Sequence, residues 1–491
     1  LLKNFRSLAF KKELLLLLFF SFPISSLAQN SSTSVGSSSR VEKVNPSSEG
    51  LNSAKLPGSE RATIFGQVRF ESLQYLTTLE DAPQLTNSQF LSGRITATSF
   101  ARDTGRFDWA LDLSAGTFFS LKQSYYSLQE IYASTLLDEK AQVSVGRKKF
   151  NWSEIDRIWA FGLWQPRYNI DALRPEDNGL TGLFFDYKTD NFQFLAFGSS
   201  LFIPTVGPEI REEDGQLKAD NRWYRPPSSQ SGKISLSYKL EYGDILDLVR
   251  QESYGLQFRL GKAEEGPWLA VSGGRKPVND IAFQRCLRCV SADSEAEFIV
   301  GPRVTHHRVF SADLGYNLES FKTSASYFED QPETIRPPAD YAVQKFEPVK
   351  IYSVQAELST KNFLNRTLVF QTAYLKTVGG QIQDIENQGQ DSEVTLFKSR
   401  YRFSNAARFS MLGDLMSIYS RPLMTQLEFI RDFDQKGSIL GLELQYQWNR
   451  TWSYLFGFDS LSVDDNESNS EEFINVYRAN DRIYAGASYV F

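Results

Sequence analysis

The chain has 491 residues, 53 Lys and Arg against 59 Asp and Glu for a net charge of -6, and 14% aromatic residues. That length fills two or three soluble domains or one large barrel, and the acidic balance argues against nucleic acid as a partner. Mean hydropathy is -0.35 and no run of about 18 apolar residues occurs, so a membrane-spanning helix is excluded and any bilayer role falls to strands.

At the start, Lys3, Arg6, Lys11 and Lys12 surround the head of an apolar run at 14–22, and Ser26-Leu27-Ala28 places small residues where a signal peptidase reads. Residues 1–28 therefore read as a signal peptide. Residues 29–61 are rich in Ser, Gly and Asn with no apolar period, which predicts a flexible periplasmic tail.

From 62 to 491 one theme recurs. Segments of about ten residues alternate apolar with polar or small, as at 63–72, 93–102, 107–116, 254–262 and 311–320. In 439–449, Leu440, Leu442, Leu444, Tyr446 and Trp448 share one face, and Gly441, Glu443, Gln445 and Gln447 share the other. Soluble sandwiches alternate too, but three features favour a barrel. The apolar faces end in Tyr, Trp and Phe, as at a membrane–water interface. The opposite faces carry ionised groups in mid-strand, among them Arg94, Arg102, Asp108, Asp112, Arg259 and Glu443, which a dry core would penalise by several kcal/mol each. Turns also alternate in length: 103–105, 137–140 and 188–191 are short, whereas 72–90, 150–178, 203–230 and 331–347 are long. The prediction is a single antiparallel up-and-down transmembrane β-barrel of about 18 strands (16–20) with long external loops. Between 231 and 303 the up-and-down phase is lost.

Counting strands from 62 makes the insert 150–178 the third external loop. Ser153 predicts an N-cap for a helix over 154–161, with Ile155, Ile158, Trp159 and Phe161 as its apolar stripe and Gly162 as its stop. Glu154, Asp156, Arg157, Arg167, Asp171 and Arg174 bring both signs of charge to the insert. In a narrow pore such charges select polar solutes by a transverse field; equally, they can pair and hold the loop in place. Trp152, Trp159 and Trp164 suit packing or stacking on sugar rings.

Cys286 and Cys289 form a C-x-x-C that reads as a small disulfide ring in an exported protein. His306 and His307 follow; neighbours on a strand point to opposite faces, so no metal site is expected. They are the sole histidines, and no G-x-S-x-G accompanies them, so a hydrolase is a minor alternative. Within 395–404, Lys398, Arg400 and Arg402 alternate as a strand would, predicting a basic row along the pore wall with Arg94, Arg102 and Arg259.

The chain ends "RIYAGASYVF", a strand pattern with Ile483, Tyr489 and Phe491 toward lipid and Arg482, Tyr484 and Ser488 toward the lumen. With Tyr484, Gly486, Tyr489 and Phe491 so placed, the ending resembles that of the bacterial outer-membrane β-barrel superfamily. The resemblance implies recognition by the barrel-assembly machinery and residence among the lipids of a Gram-negative outer membrane. A second, local resemblance over 143–187 is to channels of the porin and alginate-export type, and implies that 150–178 folds into the lumen as a constriction. The expected function is diffusion of small hydrophilic, anionic or saccharide solutes through a monomer or homotrimer, without a cofactor. A structural or adhesive barrel that transports nothing is the alternative from a different class.

Overall fold

The computed structural model describes residues 61–491 except 80–82, 101–106, 120–122, 226, 228–229, 232–233, 263–264, 292–294, 335–336, 338–340, 364–365, 387–399 and 465–471. The expected signal peptide, most of the Ser-rich tail, Arg102 and Lys398 lie outside the described residues. Among the described residues, 18 strands form one antiparallel sheet that closes when the first strand, Arg61–Tyr75, pairs with the last, Arg482–Val490. The register at the seam runs from Gln67 opposite Val490 to Tyr75 opposite Arg482. With an even number of strands, both ends of the barrel fall on the side of the short turns, which is the periplasmic side in such barrels.

Alternation sets the two faces. Leu183, Val145, Leu256, Leu314 and Val354 point outward and are more than 45% exposed, a belt that only lipid makes tolerable. Tyr419, Trp448, Trp452, Tyr489 and Phe491 are exposed at the short-turn end, forming the aromatic girdle. Inward, the periplasmic half is polar: Gln67 donates to Ser488 at 2.7 Å, Gln445 to Ser453 at 2.9 Å and Gln355 to Ser324 at 2.5 Å.

The lost phase between 231 and 303 has a structural cause. Ile234–Leu240, Ala282–Ser291 and Glu295–Arg303 leave the barrel and join a six-stranded sheet built from external loops, with Gln230–Ser231, Tyr341–Phe346 and Ile382–Glu386. Ile234–Leu240 and Glu295–Arg303 pair in parallel, a connection that no up-and-down reading contains. Only Ser253–Leu260 and Gly266–Pro277 of this stretch belong to the barrel wall.

Two further expectations are corrected. Cys286 and Cys289 lie on one continuous strand, opposite Ile299 and Ala296 respectively. Three residues of extended chain separate their Cα atoms by about 10 Å, wider than the Cα spacing that a small ring requires. The residues 400–404 are irregular chain rather than strand, so no regular basic row lines the wall there. Their pattern of two misled because Tyr401 and Phe403 are buried by loop packing instead of by a sheet face.

Candidate functional site: the segment that crosses the lumen

Between the fifth and sixth barrel strands, Ala141–Lys148 and Leu180–Lys188, residues 149–179 turn into the barrel. Ser153 caps a short helix, Glu154–Trp159, by accepting the Ile155 N–H at 3.2 Å. The helix stops earlier than Gly162: Ala160 takes the left-handed conformation, φ 56°, and its N–H bonds the Asp156 carbonyl. Asp156 then accepts the Leu163 and Trp164 N–H groups at 2.9 and 3.0 Å, which folds the chain back on itself. Burial raises the Asp156 carboxyl above its ordinary range, against the opposing pull of Arg167 and these N–H groups.

One end of the segment is fixed to the wall opposite the seam. The Trp152 carbonyl accepts Ser272 and Ser311 hydroxyls at 2.6 and 3.2 Å, and Trp159 Nε1 donates to Ser353 at 3.0 Å. Trp164 stacks on Trp152 at 4.6 Å and covers Gly255, where a Cβ would stand 3.1 Å from its ring. Glu154 binds Arg157, Asn151 and Gln355. Burial alone would push the Glu154 carboxyl up, but Arg157 and these hydrogen bonds outweigh it and hold it below the ordinary range.

The other end is fixed to the seam. Arg174 reaches Glu71 at 2.8 Å and lies 4.0 and 3.9 Å from Glu443 and Asp459, with its guanidinium 4.0 Å above the Tyr484 ring. Burial opposes the Arg174 charge, yet Glu71 and its neighbours hold the guanidinium well above its ordinary value. Asp171 binds Arg482 at 2.7 Å, and Arg482 binds Asp459 at 2.8 Å. The same region joins Arg69 to Glu71 and places it 3.5 Å from Glu443. The segment therefore spans the lumen from wall to wall.

The expected charges of the insert are thus brought together, each with a partner: Glu154 with Arg157, Arg167 with Asp177 at 2.5 Å, Asp171 with Arg482 and Arg174 with Glu71. They anchor the segment. Of the basic row, Arg94 binds Asp112 through two contacts of 2.8 and 2.6 Å, with Lys149 3.5 Å from the same carboxylate. Arg259 faces the lumen over Trp268 at 4.7 Å. Arg400 binds Asp330 at 2.8 Å, and Arg402 donates to the Ala160 carbonyl at 2.7 Å and to that of Ala172. Burial pushes the Arg402 guanidinium down to about 10, which leaves it charged at neutral pH. Arg402 is a latch from the loop before Asn405 onto both arms of the segment, a role the sequence did not suggest.

Above the segment lies an apolar cluster. Ile155, Ile158 and Trp159 pack with Phe328, Ile351 and Leu375 of the wall, with Tyr401 and Phe403, and with Ile474 of a short helix, Phe473–Val476. His307, at the top of this region, is buried between Asp330, 2.8 Å from Nδ1, and the Lys276 ammonium, 3.4 Å from Nε2. Of the assembly-signal residues, Tyr484 lies over Gly457 on the inside, filling the space where a Cβ would stand, and Gly486 sits against the first strand. Tyr489 and Phe491 stack at 6.1 Å on the outside.

No family model matches the chain, and no curated protein matches it. Among solved structures it is similar to in-vitro folded OmpT, an outer membrane protein of Vibrio cholerae, at 12% identity over 90% of this chain and 100% of that one, with a TM-score of 0.40. The trimer form of that protein matches at 10% over 88% and 100%, TM-score 0.39. Salmonella typhi OmpF in complex with daunomycin matches at 10% over 88% and 98%, TM-score 0.38. Likenesses this distant add nothing about activity. The closed sheet, the lipid-facing belt and the aromatic girdle establish a transmembrane β-barrel, crossed from within by its third external loop.

Proposed function

We propose that the protein is an outer-membrane channel for small hydrophilic solutes, in which residues 149–179 form the constriction. The observation that carries this reading is the polar periplasmic half of the lumen, lined by Gln67, Gln355, Gln445 and their serine partners, ending at a segment that is held by ion pairs at one end and hydrogen bonds at the other. Amide and hydroxyl groups suit neutral hydroxylated solutes as well as anions, and water fills such a surface at little cost. The expected tail, the export signal and trimer assembly belong to the same proposal. Planar-bilayer recordings of folded protein test it: discrete conductance steps are expected.

A second reading has its own support. The apolar packing above the segment, with Trp159, Ile351, Leu375 and Phe403, is what a closed structural or adhesive barrel would contain. Folded protein without conductance steps favours that reading. Catalysis is the weaker proposal, because His307 Nε2 faces an ammonium and not a hydroxyl nucleophile.

A further inference from the structure

A cavity of about 30 Å³ lies beside the seam, under the external loops, lined in part by Leu73, Leu85, Ser88, Arg222, Trp223 and Arg482. It has room for one water molecule or one small ion. All six of these residues are more than nine-tenths buried.

The polar atoms of these residues are unbalanced in one direction. Ser88 Oγ, Trp223 Nε1 and Arg482 Nη2 are buried without a hydrogen-bond partner. An indole N–H and a guanidinium N–H can only donate, and a hydroxyl can. The unfilled acceptors elsewhere in the described residues do not line this cavity.

Charge points the same way. Arg482 has Asp459 and Asp171 as partners. Arg222, by contrast, makes no ion pair among the described residues. Its guanidinium donates to Asn480 Oδ1 and to the carbonyls of Leu85, Thr77 and Ala479, and lies 4.3 Å over the Tyr75 ring. A buried cation surrounded only by neutral acceptors is costly and calls for a counter-charge. Burial pushes this guanidinium down to about 10, and the one carboxylate lining the cavity, that of Asp171, is taken up by Arg482.

We propose that the cavity binds one halide-sized monovalent anion, with Arg222 supplying the charge and Ser88, Trp223 and Arg482 the donors. The site lies at the wall and shares Asp171 and Arg482 with the seam anchor of the lumen-crossing segment. Because Arg222 also gathers carbonyls from the loops after Tyr75 and before Asp481, the anion tightens the hold of the external loops on the seam.

Crystals of the full chain grown with about 0.1 M bromide in place of chloride test this by anomalous diffraction. An anomalous peak in the cavity is expected for the wild type, with none for Arg222→Gln. If that variant does not fold, Trp223→Phe keeps the ring and removes one donor, and occupancy should fall severalfold. Ordinary water density without an anomalous peak in the wild type overturns the proposal. So does a peak of equal height in every variant, which marks an adventitious ion only.

Discussion

Arg174 and Glu71, 103 residues apart in the chain, meet at 2.8 Å and tie the lumen-crossing segment to the first barrel strand. Both are largely buried, and Arg69 remains beside Glu71 when Arg174 is removed. Arg174→Gln should therefore cost about 3 kcal/mol, the lower end for breaking a buried pair, measured by urea unfolding in detergent. Conductance should rise if the segment loosens.

Trp159 anchors the opposite end through Ser353 and through packing on Phe403 at 5.9 Å. Trp159→Ala should lose about 3–5 kcal/mol from the apolar region above the segment. Ser353→Ala should lose only about 1 kcal/mol, since it removes one hydrogen bond. A loss of equal size in both variants would mean that the bond, and not the packing, holds this end.

Acid should release the segment in part. Glu154 is held below the ordinary carboxylate value of 4.5, so its ion pair stabilises the fold above pH 4.5, and that contribution is lost as pH falls through the depressed value. Asp156 is shifted up and works in the opposite direction. The difference between wild type and Glu154→Gln isolates the Glu154 part: limited proteolysis at 149–179 should become more acid-sensitive in the wild type alone.

Phe491 exchanges two backbone hydrogen bonds with Gly66, of 2.9 and 3.0 Å, and its ring covers the bare Gly66 backbone on the lipid side. Deleting Phe491 should lower the yield of heat-modifiable, folded barrel severalfold, while barrels that do assemble keep wild-type conductance. Gly66→Val should mimic the deletion, because its Cβ would collide with the ring.

The barrel was legible because period-two alternation with aromatic ends is a direct record of lipid on one face and water on the other, as in Leu440 to Trp448. The insert was legible from Ser153, the tryptophans and the length of the gap between strands. What its charges do was not: pairing of Asp171 with Arg482 or Arg174 with Glu71 depends on the chain closing a ring between its two ends. The external sheet was hidden for a similar reason, since Ile234–Leu240 alternates like a wall strand and differs only in its partner. Arg400 and Arg402 show the limit most clearly, because alternation marked them as strand while the loop uses Arg402 to grip carbonyls.

If this barrel conducts and residues 149–179 set its width, single-channel recording in planar bilayers will give discrete steps for folded wild type and larger or noisier steps for Arg174→Gln. Folded, heat-modifiable protein that gives no steps in either form rules out a channel.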